Sequence, residues 1–200
     1  LYKDILLFNG IRKPEKLKEL LKALAWQLGN EVNYHELGNL IGLKSETVEE
    51  YIHLLEQSYV IYRLNSYHNN QRNEIKKGKK IYFTDLGIRN AIINDFSPLE
   101  IRNDKGGLFE NFIINELIKE STYNERFENF YFWRTTTQQE IDFIIEKNNF
   151  LKTYKIKWNP SAKPRISMAF TEKYKNHSFQ IIHSENFYDF LLNPYETDKK

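Results

Sequence analysis

Four side chains in the second half of this 200-residue chain have types and spacings that can do chemistry: Glu110, Asp142, Lys155 and Lys157. A glutamate on a helix, an aspartate on a strand and a carboxylate-x-lysine on the next strand are what Mg²⁺-assisted phosphodiester hydrolysis requires. The carboxylates hold the ion, which polarises the phosphate and lowers the pKa of a bound water, while the lysine orients that water or stabilises developing charge. Glu110 and Asp142 are the metal-ligand candidates, and Lys157 is the lysine. In "LKTYKIKW", however, Lys155 stands where the second strand carboxylate belongs. A cation there removes a ligand and also repels the ion. The residues leave three alternatives open. Lys155 forms an ion pair with Asp142; or the ligand migrates to Glu140 or Glu146, although Glu140 is about 7 Å along the strand from Asp142; or the group is a surface cross-strand pair worth only about 0.2–1 kcal/mol.

The elements that must position these side chains are legible from periodicity. "LFENFIINELIKES" predicts a helix with Leu108, Phe109, Phe112, Ile113 and Leu117 on one apolar face, Glu110 at the edge of that face and Glu116 deeper in it, where a charge needs a partner. "NFYFWRT", "EIDFIIE" and "LKTYKIKW" predict strands. The last two alternate with period two and are joined by "KNNF", which predicts an antiparallel hairpin. Alternation places Glu140, Asp142, Ile144 and Glu146 on one face of their strand and Ile141, Phe143 and Ile145 on the other. Lys155 and Lys157 share one face of the partner strand, so Asp142 and both lysines should meet across the hairpin. A helix in "SMAFTEKYKNH", a strand in "FQIIH" and a short helix in "NFYDFLL" complete a small mixed α/β domain.

The first half reads differently. Pro14 opens a helix with Leu17, Leu20, Leu21, Leu24 and Ala25 on one face and Gly29 as its stop. Asn33 caps a short helix carrying Leu37, Leu40 and Ile41; Gly42 permits a sharp turn; and Ser45 caps a second helix with Val48, Ile52 and Leu55 inward. That is helix-turn-helix spacing. Strands from Tyr59 to Leu64 and in "KKIYFTDLG", joined by a long polar stretch, extend it to a winged helix. DNA contact would fall on Lys44, Ser45 and Thr47 at the start of the second helix, and on Arg72, Lys76, Lys77, Lys79 and Lys80 in the wing. Against ordinary groove docking stand Glu46, Glu49 and Glu50 on that helix, acids facing a polyanion.

Composition narrows the field. With 40% hydrophobic and 28% charged residues the chain can bury one good core or two small ones, and a composition shift near "NDFSPLEIRNDKGG" places the division at 1–100 and 101–200. The absence of cysteine excludes disulfides, thiolate nucleophiles and Cys-based zinc sites. A net charge of +2 does not announce a nucleic-acid binder. No signal-peptide pattern or membrane-length apolar run occurs, so the expected location is cytoplasmic, with no membrane partner. There is no GxxxxGK[ST] phosphate loop, and the opening "LYKDILLFNGIRKP" without Met reads as the middle of a longer protein.

"GGLFENFIINELIK", "FYFWRTTTQQEIDFIIE" and "YKIKW", preceded by "VNYHELGNLIGLKSETVEEYIHLLEQSYVIYRL" and "NEIKKGKKIYFTDLGIRNAI", resemble the C-terminal domain of unknown function that follows an AAA+ type module in many bacterial and archaeal predicted ATPases. The resemblance covers nearly the whole chain. It implies a winged helix followed by a restriction-endonuclease-like, PD-(D/E)XK domain with a central mixed sheet, in which Glu110, Asp142 and Lys157 match the signature and Lys155 replaces its second carboxylate. It also implies an ATPase module of the same polypeptide as partner, with DNA and self-association as further ones. Three functions are then in competition: a DNA-associated accessory module with a degenerate site, an active Mg²⁺ nuclease with a displaced carboxylate, and a protein-interaction or regulatory module without nucleic acid.

Overall fold

The computed structural model describes residues 13–68 and 78–194 and shows a mixed α/β protein. The chain divides into two compact units. The described residues 13–64 and 78–102 form the first, and residues 65–68 and 103–194 the second. No helix among the described residues is long and apolar enough to cross a membrane.

In the first unit, α1 (Pro14–Trp26) starts on its proline and buries Leu17, Leu20, Leu21, Leu24 and Ala25. Gly29 follows with φ +77°, a conformation that costs other residues. After the short β1 (Glu31–Val32), Asn33 caps α2 (Tyr34–Ile41) by accepting from the N–H groups of His35 at 2.9 Å and Glu36 at 3.3 Å. Gly42, at φ +71°, turns the chain into α3 (Ser45–Gln57). Two details depart from the sequence reading. Leu40 is exposed, and Gly38 is buried beside Leu37 and Ile41, where a Cβ would stand 2.5 Å from the carbonyl oxygen of Leu43 and so only glycine fits. Lys44, not Ser45, is the cap residue of α3, and no side chain caps that helix.

Strands β2 (Ile61–Ser66) and β3 (Lys79–Phe83) follow, with β3 lying between β1 and β2. A helix that the strand reading of "KKIYFTDLG" overlooked, α4 (Leu86–Ile93), begins where the Asp85 carboxylate accepts from Ile88 N–H at 2.9 Å. It carries Arg89, which is almost wholly buried and donates from Nε and Nη2 to the Ala25 carbonyl at 3.0 and 2.7 Å. That carbonyl belongs to the last turn of α1, where helix geometry leaves acceptors without an intrahelical partner and a cation is favoured.

The second unit begins with the end of β2, because Asn65 and Ser66 pair in parallel with Tyr131 and Phe132. Its elements are α5 (Lys105–Tyr123), β4 (Asn129–Arg134), β5 (Glu140–Lys147), β6 (Phe150–Lys157), α6 (Met168–Lys173), β7 (His177–His183) and α7 (Phe187–Leu192). β5 is antiparallel to both β4 and β6, and β6 is parallel to β7 from Leu151↔His177 to Lys157↔His183. The β5–β6 turn is Asn148–Asn149, both at positive φ (53° and 62°), as a two-residue hairpin requires.

Phe170 of α6 packs with Trp133, Ile141, Ile144 and Leu151 on one face of these strands. On the other, Phe143 stacks on Phe130, and Tyr154 meets Phe190 of α7, which lies beside α5. Ile141 and Ile144 therefore share a face, against strict alternation. The reason is a register shift: Tyr131 pairs with Ile144 but Trp133 with Ile141, so β5 carries one extra residue at Asp142–Phe143. Glu116 also departs from expectation, sitting partly exposed in an i,i+3 pair with Lys119 rather than deep in the apolar face of α5.

Candidate functional site

Asp142 lies at that register shift and is 1% exposed. A buried carboxylate needs several donors, and it has three. Its Oδ1 accepts from the Lys155 ammonium at 2.6 Å, while Oδ2 accepts from the backbone N–H of Ile156 at 2.8 Å and lies 3.5 Å from Lys157 Nζ. The paired residues of β5 and β6 begin at Phe143↔Tyr154. The Ile156 N–H lies beyond that end of the ladder, and the Asp142 side chain takes the place of a backbone acceptor. Lys155 is mostly covered, with 12% of its side chain exposed, whereas 39% of Lys157 reaches solvent.

Three of the four sequence-derived site residues thus converge. Glu110 is half-buried on the first turns of α5, and its neighbour Phe109 meets Trp158 edge-on at 5.5 Å, which sets this part of α5 at the C-terminal end of β6. The two carboxylates considered as substitute ligands have other surroundings. Glu146 accepts from Asn129 Nδ2 at 2.8 Å and from Asn149 N–H at 3.2 Å at the far end of β5, and Glu140 is paired in register with Arg134. Among the described residues, no group of three or more His, Cys, Asp or Glu side chains is placed to hold a metal ion.

The electrostatics of the Asp142 cluster do not fit a divalent cation in this arrangement. An ion bound to either oxygen would stand near two ammonium groups. At about 4 Å and an effective dielectric constant of about 20, each repels a double charge by roughly 8 kcal/mol. What the cluster does is satisfy a buried anion and close the end of a strand pair.

Of the residues singled out for DNA contact, Arg72, Lys76 and Lys77 lie outside the described residues. Lys44 is exposed at the start of α3, with Ser45 and Thr47 half-buried behind it. Lys79 is half-buried, 3.4 Å from the exposed Glu49 and over the Tyr34 ring at 4.9 Å from its centre. Lys80 is 1% exposed, because β3 is buried on both faces beyond its first residue, so it is unavailable to a phosphate. The exposed side chains of α3 include Glu46, Glu49 and Glu50.

No solved structure matches the chain. Two mycobacterial proteins are 24% identical to it over 163 residues: the uncharacterized protein Mb2031c of Mycobacterium bovis and the uncharacterized protein Rv2008c of Mycobacterium tuberculosis. The match takes in 80% of this chain but 36% of each relative, so the chain spans about a third of their length. Residues 1–99 match the domain of unknown function DUF8612, and residues 105–195 match the domain of unknown function DUF4143.

Proposed function

We propose that the chain is a non-cleaving accessory module of an ATPase-bearing protein, in which a nuclease-like unit keeps the framework of a phosphodiesterase site with its metal position closed. The observation that carries this reading is the Asp142 carboxylate, filled by Lys155 at 2.6 Å, Lys157 at 3.5 Å and Ile156 N–H at 2.8 Å. The resemblance to ATPase-associated C-terminal domains and the DUF4143 match support the ATPase connection. The order α2, sharp turn, α3, β2, β3 supports a winged-helix reading of the first unit.

The test is Lys155→Glu, which restores a carboxylate where the nuclease signature has one. The wild-type chain should bind no Mg²⁺ or Mn²⁺ by titration calorimetry and cut no DNA, while the variant gains divalent binding. Divalent-dependent cleavage by the wild-type chain that Asp142→Ala abolishes would replace this reading with an active nuclease. A second reading, protein contact in place of DNA, is favoured by the acids exposed on α3, one of which pairs with Lys79, together with the burial of Lys80. Duplex DNA binding that weakens steeply with salt is the outcome that would count against it.

A further inference from the structure

At the other end of β5 from Asp142, roughly 13 Å away along the strand, the second unit holds a cleft of about 560 Å³. That volume is in the range of small-molecule sites, about 300–1,000 Å³. One wall is aromatic: the half-buried Tyr67 meets the half-buried Tyr131 at 5.2 Å and the buried Tyr174 at 5.1 Å between ring centres, both edge to face, so Tyr67 and Tyr131 are the rings a ligand can reach. Lys173 and Lys175 are exposed beside this wall, and Lys173 Nζ stands 5.2 Å from the centre of the Tyr174 ring. Across the cleft lies Glu146, fixed by Asn129 and by the hairpin turn at Asn149. A carboxylate offers about four lone-pair positions and these bonds use two, so Glu146 can still accept from a ligand amino group. The floor is held by Asn176, whose side chain donates to Asn149 O at 2.9 Å and whose carbonyl accepts from Leu151 N–H at 3.1 Å.

We propose that this cleft binds a nucleotide unit. The base lies against the tyrosine wall with its exocyclic amine toward Glu146, and the phosphate is held by Lys173 and Lys175. Each part answers a feature of the cleft. Planar rings reward flat aromatic ligands, two lysines against one glutamate leave a net positive charge, and an acceptor held by the turn selects an amine donor. An apolar ligand would leave the lysines and Glu146 unanswered, and phosphate alone would not use the rings. The inference stands apart from the closed Asp142 cluster and does not depend on it. A free nucleotide and a nucleotide within single-stranded nucleic acid offer the same chemistry.

The full chain is titrated with AMP, adenosine, inorganic phosphate and a short single-stranded oligonucleotide, followed by calorimetry and by quenching of tyrosine fluorescence. AMP or the oligonucleotide should bind with quenching, and inorganic phosphate at least about tenfold more weakly. Tyr67→Ala should weaken binding by roughly tenfold to a hundredfold. Because Tyr67 also packs against the core, the exposed-residue variant Lys173→Glu/Lys175→Glu provides the independent check, with a loss of at least about tenfold for AMP and little change for adenosine. Lys163→Glu, an exposed charge outside the cleft, should leave binding unchanged, which separates this site from a general effect of surface charge. Oligonucleotide affinity well above that of AMP, with a steep salt dependence, identifies single strands as the source; equal affinities identify the free nucleotide. Failure of both AMP and the oligonucleotide to bind at millimolar concentration overturns the proposal, as does binding that survives Lys173→Glu/Lys175→Glu undiminished.

Discussion

Replacing Asp142 with alanine should destabilise the second unit by about 3–5 kcal/mol, the cost of removing one partner from a buried ion pair. The magnitude follows from what is left behind. Gross attraction between unit charges at the 2.6 Å Lys155–Asp142 distance is about 6 kcal/mol at an effective dielectric constant of about 20, and most of it offsets desolvation of the two groups. Without the carboxylate that desolvation stands uncompensated at Lys155, whose side chain is 12% exposed, and the Ile156 N–H loses its acceptor as well. Lys157, 39% exposed, relaxes into water and adds little.

Asn in place of Asp keeps an acceptor for Ile156, so Asp142→Asn should cost about 1–2 kcal/mol less than Asp142→Ala. Lys155→Met should cost about 1–3 kcal/mol, since Asp142 keeps Lys157 and the backbone donor. In the double variant Asp142→Ala/Lys155→Met the stranded charge is gone, and the loss should fall below the sum of the single losses by about 2 kcal/mol. Urea unfolding followed by tryptophan fluorescence measures these differences, with Trp133 and Trp158 reporting on this unit. Hydrogen exchange at the Ile156 amide gives a local reading: protection kept in Asp142→Asn and lost in Asp142→Ala. If Asp142→Ala costs under about 0.5 kcal/mol, or the double variant is strictly additive, the carboxylate does not hold the strand end together and the reasoning fails.

Two smaller tests follow from backbone geometry and burial. Gly42→Ala meets no neighbouring atom but must hold φ +71°, costing about 1–2 kcal/mol, whereas Gly38→Ala drives a methyl against the Leu43 backbone and should cost more, an order that chemical denaturation can check. Burial pushes the Tyr174 hydroxyl above its ordinary pKa of 10.0, offset in part by the Trp133 indole beside it. The unfolded chain therefore loses this proton first, so stability is fully present below pH 10 and falls as pH rises from there through the folded-state value. Tyr174→Phe should flatten that alkaline fall in a series of denaturation midpoints, and an unchanged slope would refute the assignment.

Local chemistry carried much of the architecture. Proline at the start of α1, asparagine before α2, glycine at the turn and the two asparagines of the hairpin each impose a backbone geometry that depends on few distant residues, so they were legible in order along the chain. The meeting of Asp142 with Lys155 and Lys157 was legible too, because period-two alternation across a short hairpin leaves few ways to arrange three charges. The extra residue in β5 was not. A bulge is decided by what the neighbouring strand offers, and strict alternation put Ile141 and Ile144 on opposite faces when they share one. The burial of Lys80 escaped for the same reason, since a lysine beside other lysines reads as surface until the covering of β3 is known.

The cleft had no signal in the sequence at all. Its residues come from the segment after β2, from β4, from the β5–β6 turn and from the end of α6, and only parallel pairing of Asn65 and Ser66 with β4 brings Tyr67 to Tyr131 and Tyr174. The sequence by itself determined most of the elements, the Asn33 cap and the charge cluster, because these depend on neighbours within a turn or across a hairpin. Tertiary structure alone decided which face Ile141 joins, which lysines stay outside and where the tyrosines meet, because each depends on pairings between residues far apart in the chain.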